Sequence, residues 1–268
     1  MNGQPTLKTN AMSAEYAYSE IPHLFGLIGY PLGHSFSQRY FREKFEREGL
    51  SQYDYGLFPL SEIGQFPVLL ETYPNLEGLN VTIPYKEQVL DYLDDLDSEA
   101  ASIGAVNVIK VDSGKTIGYN SDIAGFAQSL NDFIGEAKEG MTQALVLGTG
   151  GASKAVLHVL RRMGIASITV SRSTGKADLV YADLQKDLIQ AIPLIINTTP
   201  LGMSPRTEEA PELPYQWLHE GHFLYDLVYN PLETQFMKLG KTQGAHVCNG
   251  LDMLYGQAER AWEIWMNK

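Results

Sequence analysis

Apolar and polar positions along this chain follow two periods in alternation. Phe25-Gly26-Leu27-Ile28-Gly29 is a short apolar run closed by turn residues, which predicts a buried strand. Residues 37–48 switch to a helical pattern, with Ser37 as the expected N-cap and Gly49 as the stop. Residues 53–60 read as a strand, and Ser61 is placed to cap a helix that ends before Pro74. A third strand is expected over residues 79–83, broken by Pro84. Val89, Leu90, Leu93 and Leu96 fall on one stripe, predicting a helix over residues 87–96. Residues 106–111 and 115–119 flank Asp112-Ser113-Gly114, a hairpin signal. A helix is expected over residues 123–133.

From Ala144 the text reads strand, glycine-rich turn, helix, strand. Ala144-Leu145-Val146-Leu147 is the strand and Gly148-Thr149-Gly150-Gly151-Ala152 the turn. The helix after it carries Ala155, Val156, Val159, Leu160 and Met163, and Gly164 ends it before the strand Ile168-Thr169-Val170. Further strands are expected at 194–197, 223–228 and 245–248, and a final helix at 251–265. The pattern predicts an α/β protein of two α/β domains, residues 21–121 and residues 122–249, followed by the final helix, the first 20 residues lying outside the fold.

Composition narrows the partners. With 20 Lys and Arg against 32 Asp and Glu, the net charge is −12. That balance argues against nucleic acid, which needs a basic stripe, and against anionic membranes. A small-molecule substrate is compatible with it, as is a monomer or a homodimer. No apolar run approaches membrane-spanning length, and the N-terminal stretch lacks the layout of a signal peptide. The single cysteine, Cys248, excludes a disulfide framework within the chain and fits a cytoplasmic setting. Asp91, Asp94, Asp95 and Asp97 are read as a solvated face, so no metal is expected.

A glycine turn between strand and helix suits a pyrophosphate. Gly148 allows the tight turn, Gly150 lets backbone approach the phosphates, and the helix start offers N–H groups and a positive dipole end. About 20 residues beyond the first glycine, NAD-binding folds place an acid for the ribose 2′-hydroxyl. This chain has Ser171-Arg172-Ser173 there, with Lys176 close behind. An acid repels a 2′-phosphate and an arginine pairs with it, so NADP(H) is expected over NAD.

Polar residues gather where the strands of the first half end. Ser35 and Ser37 follow the first strand, Asn80 and Thr82 alternate in the third, and Lys86, Asn107 and Asp122 sit at element boundaries. Hydroxyls and amides at strand ends suit a polyol ligand. Each has a structural reading as well: Ser37 and Asp122 as helix caps, Asn80 and Asn107 as turn residues, Lys86 as a surface charge.

Taken in order, these segments resemble shikimate dehydrogenases from about Phe25 to the C-terminus. The resemblance rests on Gly29-Tyr30-Pro31-Leu32-Gly33-His34-Ser35-Phe36-Ser37, Gly78-Leu79-Asn80-Val81-Thr82-Ile83-Pro84-Tyr85-Lys86, Ser102-Ile103-Gly104-Ala105-Val106-Asn107 and Gly118-Tyr119-Asn120-Ser121-Asp122. It continues through Gly148–Ala152, Asn197-Thr198-Thr199-Pro200-Leu201-Gly202-Met203 and Tyr225-Asp226-Leu227-Val228-Tyr229-Asn230-Pro231 to the terminal helix with Gln257.

It implies an N-terminal substrate domain, a Rossmann-type NADP domain and a last helix returning to the first domain. It implies that Lys86 and Asp122 are the catalytic pair, that Ser35 and Ser37 hold the substrate carboxylate, and that Asn80, Thr82, Asn107 and Gln257 hold ring hydroxyls, with Tyr229 also facing the substrate. Gly148, Thr149, Gly150, Gly151, Ala152, Ser171, Arg172, Ser173, Thr199, Met203 and Gly250 are implied for the cofactor. The implied reaction is the reversible NADPH-dependent reduction of 3-dehydroshikimate to shikimate, in aromatic amino-acid (chorismate) biosynthesis; a broader quinate/shikimate dehydrogenase and a non-enzymatic dinucleotide-binding regulator are the alternatives. The chain departs from the family in having Gln38 where Pro is usual, Ser171 and Ser173 around Arg172, Ser121 before Asp122, and Tyr255-Gly256 before Gln257.

Overall fold

The structure is a computed structural model that describes residues 18–33 and 35–267. The expected N-terminal extension falls largely on residues 1–17, outside the described residues, as does His34. Tyr18, inside the stretch expected to lie beyond the fold, packs on Phe58 and Tyr73 at centroid distances of 5.7 and 6.3 Å. Two compact units are present: one of the described residues up to Asn120 with those from Ala261 onward, the other Ser121–Arg260.

The first unit is built on a mixed sheet. Its strands are β1 (His23–Gly29), β2 (Tyr53–Pro59), β3 (Leu76–Val81), β4 (Asp95–Leu96), β5 (Val108–Asp112) and β6 (Lys115–Tyr119), in the order β2-β1-β3-β5-β6-β4. β1 lies parallel to β2 and β3, while β3-β5 and β5-β6 are antiparallel. The β5-β6 turn has φ 52° at Ser113 and 79° at Gly114, the left-handed pair that a two-residue hairpin favours. Helices α1 (Phe36–Arg47), α2 (Phe66–Thr72) and α3 (Ser98–Ile103) cover it. Leu24, Ile28, Leu79, Val89, Val106 and Ile109 are buried in its core.

Three local expectations fail here. Ser37 does not cap α1. Ser35 does, accepting from the Gln38 N–H at 3.4 Å, so the helix begins one residue earlier and Ser37 lies in its first turn. Ser61 caps nothing with its side chain; the Gln65 side-chain oxygen Oε1 accepts from the Ser61 N–H at 2.9 Å instead. Residues 87–96 form a short 3-10 turn (Gln88–Tyr92) and then β4, not a helix. The Asp94 carboxylate accepts from the Thr116 N–H (2.8 Å) and hydroxyl (2.9 Å), and the Asp94 N–H donates to the Thr116 carbonyl (3.1 Å). These bonds pull the segment onto β6 and override the helical stripe. Asp97 is spent as the cap of α3, accepting from the Glu99 N–H at 2.9 Å.

The second unit carries α4 (Asp122–Ile134) and a fully parallel sheet: β7 (Gln143–Leu147), β8 (Ala166–Ser171), β9 (Leu179–Val180), β10 (Leu194–Asn197), β11 (Phe223–Asp226) and β12 (His246–Cys248). Helices α5 (Gly151–Arg162), α6 (Lys186–Ala191) and α7 (Gln235–Thr242) connect them. The spatial order is β12-β11-β10-β7-β8-β9, so within this unit the strands run 3-2-1-4-5-6 when read from the far edge. Leu145, Leu147, Val170, Ile195 and Leu224 are buried in its core. Such strands are buried on both faces, which explains their near-continuous apolar runs.

The last helix, α8 (Leu251–Met266), begins in the second unit and from Ala261 belongs to the first. Its end is an aromatic anchor. The Trp265 ring lies 4.8 Å from Phe25 and 5.2 Å from Phe41, and its indole N–H donates to the Ile109 carbonyl at 3.0 Å. Gly78 makes room for it: a Cβ there would sit 2.4 Å from Trp265 Nε1. No helix among the described residues is long and apolar enough to cross a membrane.

Candidate active site

In the first unit the predicted polar residues converge at the end of β1 and β3. Asn80, on β3, and Thr82, just past it, share one side of the strand, as the alternation requires. Thr82 is pinned by its N–H to the Ile28 carbonyl (2.9 Å), and its methyl faces Gly29, where a Cβ would lie 2.4 Å away. Asn107 precedes β5; its carbonyl accepts from the Val81 N–H at 2.9 Å and from the Asn80 side-chain amide at 3.4 Å. The Lys86 carbonyl accepts from the Val106 N–H at 2.7 Å, which fastens the lysine's backbone beside Asn107. The neighbouring Tyr85 hydroxyl donates to the Leu60 carbonyl at 2.5 Å, so the residues leading to Lys86 are tied to the end of β2.

One residue of this cluster has no place in the sequence-based expectation. Tyr55, on β2, is fully buried and stacked on Phe41 at 4.9 Å. Its hydroxyl donates to Asn80 Oδ1 at 2.7 Å, with the Ser37 side chain close by. Burial pushes the Tyr55 phenol well above its usual range, and Ser37 opposes that only in part, so it stays protonated. The only signal in the text is its alternation with Tyr53 along a strand, which says "inward" but not "bonded to Asn80".

In the second unit the glycine turn lies where strand order reverses, between β7 and β10. Gly148 has φ 110°, and a Cβ would fall 2.7 Å from the Thr198 hydroxyl oxygen and 3.0 Å from a Thr199 methyl. Only glycine fits this turn. At Gly150, the N-cap of α5, a Cβ would meet nothing within 4 Å. Open space before a helix start of Gly151-Ala152, with no acid in the first turn, is what an anionic pyrophosphate requires. The Ser171 hydroxyl donates to the Ser173 carbonyl (2.7 Å) and accepts the Ser173 N–H (3.1 Å), a tight turn that leaves Arg172 exposed. Tyr181 lies within electrostatic reach of Arg172, although burial dominates and pushes its phenol to about 12.

Asp226 organises the rest of this edge. Its carboxylate accepts from Asn197 Nδ2 (2.9 Å), the Val228 N–H (3.0 Å) and the Thr234 hydroxyl (2.6 Å). Asn197 Oδ1 then accepts from the Thr199 N–H (3.0 Å) and hydroxyl (2.7 Å). One buried carboxylate thus holds both the Thr199–Met203 turn and the segment leading to Tyr229. Met203 and Tyr229 are themselves partly exposed. Asp122 opens α4 and is buried; Ser121 stands at the N-cap position. Gly125, one turn on, meets α8: its Cβ would be 2.6 Å from the Met253 carbonyl and 2.8 Å from the Gln257 backbone nitrogen, and a Cβ on Gly256 would lie 3.1 Å from the Gly125 Cα. This glycine crossing accounts for Gly256 and brings Asp122 and Gln257 within one turn of the same contact. Gly250 passes so close to the Leu227 backbone that a Cβ would crowd its carbonyl. Among the described residues no group of three His, Cys, Asp or Glu side chains is gathered as a metal site.

The 3-2-1-4-5-6 parallel sheet with a glycine turn at its switch point defines the second unit as a Rossmann-type dinucleotide-binding fold. Residues 27–109 match the family model described as "Shikimate dehydrogenase substrate binding domain". A shikimate dehydrogenase (NADP(+)) of Methanococcus maripaludis is 37% identical, covering 91% of this chain and 92% of the relative. A crystal structure of a shikimate dehydrogenase in complex with NADP+ superposes with a TM-score of 0.81 at 33% identity, over 91% of this chain and 90% of that one. The Thermus thermophilus enzyme in complex with NADP(H) and shikimate gives 0.78 at 29% identity, over 91% and 93%. The chain belongs to the shikimate dehydrogenase family.

Proposed function

We propose that the protein is an NADP-dependent shikimate dehydrogenase, catalysing the reversible NADPH-dependent reduction of 3-dehydroshikimate to shikimate in the cytoplasm. The observation that carries this reading is the cluster at the strand ends of the first unit: Ser37, Asn80, Thr82 and Asn107, hydroxyls and amides suited to a hydroxylated ring, beside Lys86. The dinucleotide, when bound, supplies the hydride. Gly148–Ala152 hold its pyrophosphate and Arg172 its 2′-phosphate, with Ser171 and Ser173 shaping the turn, and Thr199, Met203 and Gly250 border the rest of it.

Ser35 and Ser37 take the substrate carboxylate, and Asn80, Thr82, Asn107 and Gln257 the ring hydroxyls, with Tyr229 against the ring. Lys86 gives the proton to the carbonyl oxygen and takes it back in reverse; Asp122 orients the hydroxyl and the ammonium. Holding those groups in place supplies the orientation part of the rate enhancement. Replacing Lys86 with Ala lowers turnover about 10²–10⁴-fold while NADP still binds, the range for losing a general acid. The check is kcat beside NADP affinity by fluorescence titration; near-normal kcat in that variant contradicts the assignment.

A further inference from the structure

We propose that Tyr55 is a positioning residue for substrate recognition: its hydroxyl holds Asn80 Oδ1 and fixes which face of the Asn80 amide the substrate meets. This rests on the reading of Ser37 and Asn80 as substrate contacts, and adds a residue that touches neither cofactor nor reacting atoms.

Proton bookkeeping sets the polarity. The Asn107 carbonyl can only accept, so the Asn80 group 3.4 Å from it is the N–H₂. Asn80 Oδ1 therefore faces Tyr55, and since a carbonyl oxygen cannot donate, the phenol must, at 2.7 Å. The phenol has a single proton and spends it on Asn80, so toward the nearby Ser37 side chain its oxygen can only accept. With Oδ1 turned to the phenol and one amide hydrogen on Asn107, the second amide N–H is the donor Asn80 offers a substrate hydroxyl. Ser37, in the first turn of α1, does not cap the helix, because Ser35 does. Without the phenol only the longer 3.4 Å bond to the Asn107 carbonyl sets the amide's orientation, and a rotated Asn80 presents an acceptor in place of a donor. The Tyr55 ring is fully buried and stacked on Phe41 with planes 10° apart, so it is rigid and its hydroxyl cannot be replaced by a neighbour's motion.

The test is steady-state kinetics of Y55F, which keeps the ring and its stacking. Shikimate KM should rise about three- to tenfold, the value of one neutral hydrogen bond. kcat should change less than KM, and NADP KM should not change. S37A and N80A report on the underlying reading. Y225F is the matched control, removing another buried tyrosine hydroxyl, which donates to Ser129 at 2.7 Å in the second unit. It should lower the melting temperature and leave shikimate KM alone. If S37A and N80A raise shikimate KM and Y55F does not, the proposal is overturned and the site reading stands. If none of the three moves it, both fall. A Y55F effect shared equally by NADP KM, or reproduced by Y225F, is structural and also overturns the proposal.

Discussion

At the residue scale, two side chains carry most of the testable chemistry beyond Lys86. Arg172 is the residue we propose to select the cofactor: replacing it with Asp should weaken NADP about tenfold or more, because a charged hydrogen bond is worth roughly 1.5–3 kcal/mol, and isothermal titration with NADP and NAD reads the change directly. Equal NADP affinity in both proteins defeats the assignment. Asp226 is a structural knot with a pH signature. Burial raises its pKa from 3.8 to about 6, against the opposing pull of Thr234, Val228 and Asn197. Because the folded state keeps this proton to higher pH than the unfolded chain, its contribution is full below the ordinary value of 3.8 and lost as the pH rises to about 6. Asp226→Asn has no such titration, so the stability gap between wild type and variant should narrow across that window in urea melts; a constant gap refutes the linkage. Arg172 is legible in the sequence because position after a strand gives it meaning. The roles of Asp226 and Tyr55 are not, because a buried hydrogen-bond partner is chosen by residues distant in the chain: Thr234 and Asn197 for one, Asn80 for the other.

At the element scale, the long amphipathic pieces can be read from period alone. α4, α5 and α8 all lie where their apolar stripes place them, and the strands of the second sheet follow the apolar runs. The short helices α3, α6 and α7 escape such a reading, since six to eight residues hold too few turns to show a period. Residues 87–96 defeat it for another reason: the bonds between Asp94 and Thr116 draw the segment onto β6, and its apolar residues reach the core from a 3-10 turn and a strand instead of from a helix. The crossing of α4 and α8 gives a prediction of its own. Gly125→Ala gains helix propensity of up to about 1 kcal/mol but drives a methyl into the Met253 and Gln257 backbone, an overpacking cost of roughly 1–3 kcal/mol. We expect a lower melting temperature together with a raised shikimate KM, because Gln257 moves with the helix; unchanged kinetics would separate this crossing from the site.

At the scale of the whole molecule, an acidic chain of net charge −12 is divided into two sheets with separate cores, and the last helix contributes to both units. The second sheet's parallel strand order can be anticipated once the glycine turn between strand and helix is recognised. The mixed order of the first sheet cannot, since nothing local dictates that β5 returns antiparallel to β3 or that β4 pairs with β6. Acid should loosen the second unit through His222, whose buried ring is hydrogen-bonded to the Ile189 and His219 backbone and whose pKa burial lowers. The unfolded chain takes up a proton near the ordinary 6.5 and the folded one resists it, so this contribution to stability declines as pH falls below about 6.5. His222→Gln should flatten that part of the profile in thermal melts; an unaltered slope would refute it. The most direct test of the central claim is the initial rate of NADP reduction with shikimate, run beside quinate and repeated with NAD. The account predicts rapid reduction of NADP by shikimate, weaker activity with quinate, and a strong loss with NAD; no NADP reduction by shikimate, with the folded protein in hand, would contradict it.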